Sequence, residues 1–80
     1  MTIIDALGLI GVVFILVAYV ALQFEKLAAS DWRYSALNAV GAALILLTLI
    51  YDFNMSAFAM EFAWLVISLF GLVKSLRPSP

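Results

Sequence analysis

Three long apolar stretches fill most of this 80-residue chain and leave it little choice of solvent. Ala6–Phe24 and Tyr34–Tyr51 carry no charged side chain, and Phe53–Val73 carries only Glu61. Each is close to the ~20 residues that a helix needs to cross the ~30 Å hydrocarbon core of a bilayer. With 68% hydrophobic residues, a single domain of this length is too apolar for a water-soluble fold. The fold expected is all-α, a three-transmembrane-helix bundle forming one integral membrane domain, with the lipid bilayer as its first partner.

Composition narrows the function classes further. Four basic and five acidic side chains give a formal charge of −1, so the basic patch on which nucleic-acid binding depends is missing. Cysteine and histidine are both absent, which excludes disulfides, thiolate chemistry, Cys/His zinc sites, histidine-ligated haem and imidazole acid–base catalysis. The sequence contains no Gly-rich phosphate loop, no paired catalytic carboxylates and no nucleophile–base pattern. The expectation is therefore a protein that is not an enzyme, with no catalytic residue, metal site or cofactor. Met1-Thr2-Ile3-Ile4-Asp5 lacks the positive start of a signal peptide, and Phe24-Glu25-Lys26 is no cleavage site. The first stretch is expected to stay in the mature protein.

Cap and turn residues set the expected spans at about 3–24, 31–51 and 56–76. Thr2 and Asp5 have the spacing of a capping box, Ser30 or Asp31 caps the second helix, and Asp52-Phe53-Asn54-Met55-Ser56 supplies the second turn. Pro78 stops the third helix. All four basic residues fall in the first link or the tail: Lys26, Arg33, Lys74 and Arg77. Lys and Arg favour the cytoplasmic side, and an odd number of spans puts those two segments on the same side. Charge bias and span count thus agree on N-terminus out and C-terminus in, in a multi-pass protein of the cell inner membrane.

Helices in lipid associate through small residues and interhelical hydrogen bonds, so helical spacing marks the faces that meet. On the first helix Asp5, Gly8, Val12, Ile15, Tyr19 and Leu22 share a stripe, with Gly11 at its edge. On the second, Tyr34, Asn38, Gly41, Ile45, Thr48 and Asp52 recur. On the third, Ala57, Glu61, Trp64, Ser68 and Gly71 repeat the pattern, leaving Phe58, Phe62, Leu65, Leu69 and Leu72 for lipid or a partner. The candidate intramembrane polar and packing site is Tyr19, Asn38, Gly41, Glu61, Trp64 and Ser68. Asn38 reads as a structural hydrogen bond, with Tyr19 as one partner, or as a ligand contact. Glu61 has three readings: reaching the headgroups, an interhelical hydrogen bond as the protonated acid, or binding a proton or cation. Trp64, Tyr19 and Tyr34 read as packing and interface anchors or as the lining of a small-molecule cavity.

The succession Gly8-Leu9-Ile10-Gly11, Ala18-Tyr19, Leu22-Gln23, then Tyr34-Ser35-Ala36-Leu37-Asn38-Ala39-Val40-Gly41-Ala42, then Glu61-Phe62-Ala63-Trp64-Leu65-Val66-Ile67-Ser68-Leu69-Phe70-Gly71 resembles a family of short bacterial integral membrane proteins of uncharacterised function. That resemblance implies a three-helix fold and no particular activity. In architecture alone, the chain is also similar to the PQ-loop half-transporters, the bacterial SemiSWEETs, whose triple-helix units pair around a sugar path. Where those proteins carry a Pro-Gln pair this chain reads Ala21-Leu22-Gln23, and its membrane Asn stands on the second helix rather than the third. Two functions follow as expectations. One is an accessory or structural subunit that forms a homo-oligomer or docks on a larger membrane complex. The other is a half-transporter that moves a small solute as a homodimer.

Overall fold

The computed structural model describes residues 2–77 and consists of three helices, α1 (Ile3–Gln23), α2 (Trp32–Thr48) and α3 (Met55–Leu76). Each begins on a side chain that accepts from an otherwise orphaned backbone amide. The Thr2 hydroxyl accepts from the Asp5 amide and the Asp5 carboxylate from the Thr2 amide, both at 3.2 Å, which completes the capping box. Asp31 rather than Ser30 caps α2, accepting from the Arg33 amide at 2.9 Å. Hydrogen bonds from the Arg33 guanidinium to the same carboxylate hold Asp31 below the usual aspartate range. Asn54 caps α3 by accepting from the Ala57 amide at 3.0 Å, so that helix begins at Met55 rather than Ser56. Pro78, the expected stop, lies outside the described residues.

α1 ends in a Schellman motif without a glycine. The Lys26 amide donates to the Ala21 carbonyl at 2.8 Å and the Glu25 amide to the Leu22 carbonyl at 3.1 Å. Glu25 takes the left-handed position between them, at φ 60°. A Cβ there is strained by roughly 1–2 kcal/mol, which the two carbonyls satisfied at the helix end help to offset.

The end of α2 corrects the sequence reading. The stretch 31–51 was expected to form a full span, but the helix stops at Thr48 after 17 residues. At 1.5 Å per residue that is about 25 Å, short of the ~30 Å core. Thr48 turns its hydroxyl onto the Ile45 carbonyl at 2.6 Å. The amides of Ile50 and Tyr51 then reach back only three residues, to Leu47 and Thr48. Such bonds tighten the last turn and take the chain off the helix axis. α1 and α3, with 21 and 22 residues, are the two helices long and apolar enough to cross a membrane.

α2 packs against both other helices, whereas the backbones of α1 and α3 make no close approach to each other among the described residues. Short links force α2 antiparallel to its neighbours. One end of the molecule therefore gathers Ile4, Asp5, Asp52 and Asn54. At the other end Ser35 of α2 meets Gly71 of α3, with Arg33 two residues before Ser35 and Lys74 three residues after Gly71 in the chain.

The interior consists mostly of small residues. Its buried members are Gly11 and Ala18 on α1, Ser35, Asn38, Ala39, Gly41 and Ala42 on α2, Leu49 just beyond it, and Ser68 on α3. The stripe read for α1 is therefore rotated: Gly8, Gly11, Ile15, Ala18 and Leu22 face α2, while Val12 and Tyr19 are exposed. The reason is the crossing point. A Cβ on Gly11 would lie 2.6 Å from the Gly41 carbonyl oxygen, and a Cβ on Gly41 would lie 2.6 Å from that of Gly11. Two backbones come this close only where both residues lack a side chain.

Candidate functional site

The side chain of Asn38 joins two of the three helices. It is 4% exposed. Its Nδ2 donates to the Tyr34 carbonyl one turn earlier at 2.9 Å, and its Oδ1 accepts from the Trp64 indole Nε1 at 3.1 Å. Indole nitrogen can only donate, so chemistry fixes which end of the amide faces α3. The expected partner, Tyr19, is not the one used: its side chain lies on the exposed flank of α1, and Trp64 takes the bond. The bond to Tyr34 holds the amide, and the amide in turn orients the indole.

That bond separates two clefts. The larger, about 330 Å³, lies between α1 and α3 with α2 at its floor, and its lining includes Leu16, Tyr19, Tyr34, Asn38, Glu61 and Trp64. The smaller, about 200 Å³, lies toward the basic end and is lined by Ser35, Ser68 and Gly71 together with Tyr34, Asn38 and Trp64. Of the six residues singled out in the sequence, Tyr19, Asn38, Glu61 and Trp64 thus share one cleft. Ser68 adjoins the second, and Gly41 lies apart, at the α1–α2 crossing.

Glu61 stands about 9 Å along α3 from its first residue, taking 1.5 Å per residue. Its Oε1 is enclosed by protein and has no hydrogen-bond partner, so that oxygen does not form the interhelical bond that was one of its three readings. The lining of the cleft contains no basic side chain. Among the described residues there is no group of three Asp, Glu, His or Cys side chains placed to hold a metal ion.

Sequence reasoning missed Ser35. It lies off the stripe Tyr34, Asn38, Gly41, Ile45, Thr48 and Asp52, yet it is buried, with its hydroxyl 2.9 Å from where a Cβ on Gly71 would stand. The sequence signal lay in the pairing of a small residue near the start of α2 with one near the end of α3, where an antiparallel pair brings them level.

The model of one uncharacterised protein family matches residues 4–79, nearly the whole chain. No curated protein and no solved structure matches it.

Proposed function

We propose that this chain, which belongs to that uncharacterised family, is a small accessory or structural subunit of a bacterial inner membrane, acting by assembly with a second copy or a larger membrane protein. The observation that carries this reading is an aromatic ladder that starts at Phe53 in the link before α3 and continues along the outward face of that helix. The rings of Phe53 and Phe58, and of Phe58 and Phe62, have centroids 5.7 Å apart in each pair, and all three side chains are exposed. Aromatic residues give large, stiff contact area at little entropic cost, so they concentrate where helices of different chains meet. Gentle detergent extraction followed by native mass measurement is expected to recover the chain in a fixed ratio with a second copy or a larger partner. Phe58→Leu and Phe62→Leu together should weaken that association. Recovery solely as a monomer would defeat the reading.

The membrane arrangement supporting this role has the acidic end, with Asp5 and Asp52, outside, and the end with Lys26, Arg33, Lys74 and Arg77 in the cytoplasm. α1 and α3 cross in the same direction, and α2, flanked by both, returns the chain between them despite its short length. What supports the return is the grouping of Asp5, Asp52 and Asn54 at one end, since α3 then starts level with the start of α1. Single-cysteine variants test it. Asp52→Cys should react with an impermeant thiol reagent from the periplasm and Arg77→Cys only from the cytoplasm. Labelling of both from one compartment would overturn the arrangement.

A further inference from the structure

A helical hydroxyl held away from water commonly bonds a carbonyl of the preceding turn, as those of Thr48 and Ser75 do at 2.6 and 3.0 Å. Ser35 on α2 and Ser68 on α3 are buried, 5% and 8% exposed, yet neither hydroxyl makes such a bond. The hydrogen bonds at their cleft are those of Asn38 to Tyr34 and Trp64. Among the described residues the side-chain oxygen both unpartnered and fully enclosed is Glu61 Oε1, so the two serine hydroxyls face open space. That space is the cleft of about 200 Å³ that both of them line. We propose that this cleft between α2 and α3 binds one small uncharged polyol, a glyceryl group in the simplest case, with its hydroxyls on Ser35 and Ser68 and its carbon chain against Trp64 and Ile67.

The class of ligand follows from the lining. No Asp, Glu, Lys or Arg borders the cleft, so an ion there would lose its hydration without a counter-charge. A wholly apolar ligand would leave both hydroxyls unpaired. Water alone fits poorly: the volume holds about six molecules at ~30 Å³ each, and each needs two to four polar partners that a mostly apolar wall does not supply. Displacing such poorly held water with carbon is favourable where hydroxyls replace the bonds that matter. A serine hydroxyl both donates and accepts, and so matches another hydroxyl. The volume lies below the ~300 Å³ at which drug-sized pockets begin, which limits the ligand to a few carbons. Gly71 keeps the space open, since a Cβ there would stand 2.9 Å from Ser35 Oγ. Gly71 and Ser68 are three residues apart on α3, and such neighbours lie ~5–6 Å apart, so one short molecule reaches both hydroxyls. The Trp64 ring is already held by its bond to Asn38 at 3.1 Å, and no ordering of that ring is required on binding. Ala29 of the first link also lines the cleft, which places it at the helix ends. The site is complete within one copy and does not depend on the docking face of α3.

The test uses the full chain in phosphatidylcholine nanodiscs, with both tryptophans, Trp32 and Trp64, carrying a 5-fluoro label and Trp32→Phe assigning the two fluorine resonances. Glycerol is expected to shift the Trp64 resonance saturably, while exposed Trp32 reports only the change of bulk solvent. Glycerate, which adds a carboxylate, should bind at least about tenfold more weakly. Ser35→Ala with Ser68→Ala should weaken glycerol binding by at least about tenfold. Gly71→Ala should do the same by filling the space while leaving every polar group in place and favouring the helix. Circular dichroism and elution volume matching the parent chain separate a lost site from a lost fold. A second arm replaces part of the lipid with phosphatidylglycerol or with phosphatidylserine, which has equal charge and no glycerol headgroup. A Trp64 shift with phosphatidylglycerol alone, and loss of the glycerol response, would assign the glyceryl group to a lipid headgroup; an unchanged glycerol response would assign it to the free solute. No saturable shift in either arm, equal affinity for glycerate, or full affinity in both the double serine variant and Gly71→Ala would each overturn the proposal.

Discussion

Gly41→Ala is expected to destabilise the α1–α2 pair by about 1–3 kcal/mol, the usual range for overpacking a close contact. The added methyl would stand 2.6 Å from the Gly11 carbonyl oxygen and 2.7 Å from Cγ1 of Ile15. Ile15 has rotamers to move through, but the carbonyl belongs to the backbone of α1 and moves only if the helix does. Gly11→Ala meets the same obstacle from the other side, with the Gly41 oxygen at 2.6 Å and Cγ1 of Ile45 at 3.0 Å. Gly8→Ala is the control, because its nearest neighbour is Cγ2 of Thr48 at 3.6 Å, an ordinary contact. All three substitutions gain helix propensity, up to ~1 kcal/mol, so the difference between positions isolates the clash. Unfolding of the chain in mixed micelles with rising SDS, followed by circular dichroism, gives the comparison. Equal midpoints for Gly41→Ala and Gly8→Ala would show that the helices do not cross where the two glycines meet.

Much of this fold was legible because lipid-sized apolar runs and cap residues are local signals. Thr2 with Asp5, and Asp31 before Trp32, announce helix starts through chemistry confined to a few neighbouring residues. The end of α2 was not legible for the opposite reason. Leu46 to Tyr51 contains no Gly, Pro or charge, so nothing local marks where the helix unwinds, and the back-bonding Thr48 is visible only with coordinates. Register between helices was likewise hidden. Stripes of period 3.6 identify a face to within tens of degrees, which is too coarse to choose between Tyr19 and Trp64 as partner of Asn38 or to favour Gly11 over Val12 at the crossing. The same coarseness sufficed to put Tyr19, Glu61 and Trp64 on faces that one cleft could share, because their side chains are long.

The second large effect lies in the Asn38–Trp64 contact, and it is best measured as a coupling rather than as a single loss. Trp64→Phe removes the donor and leaves the Asn38 Oδ1 unpaired beside apolar atoms, while Asn38→Ala removes the acceptor and leaves the indole N–H unpaired. Each single change is expected to cost about 1–3 kcal/mol, since a buried polar group stripped of its partner bears its desolvation alone. The double variant should be less unstable than the sum, because it leaves neither group stranded. A coupling of about 0.6 kcal/mol is expected, and not above about 1.7 kcal/mol, the average and the maximum measured for side-chain hydrogen bonds between membrane helices. Ser68→Ala, on the neighbouring cleft but outside this bond, should couple to Trp64→Phe far more weakly. If Asn38→Ala and Trp64→Phe were additive within about 0.3 kcal/mol, the amide and indole would be independent groups. The orienting of Trp64 by α2, which both clefts depend on, would then be lost.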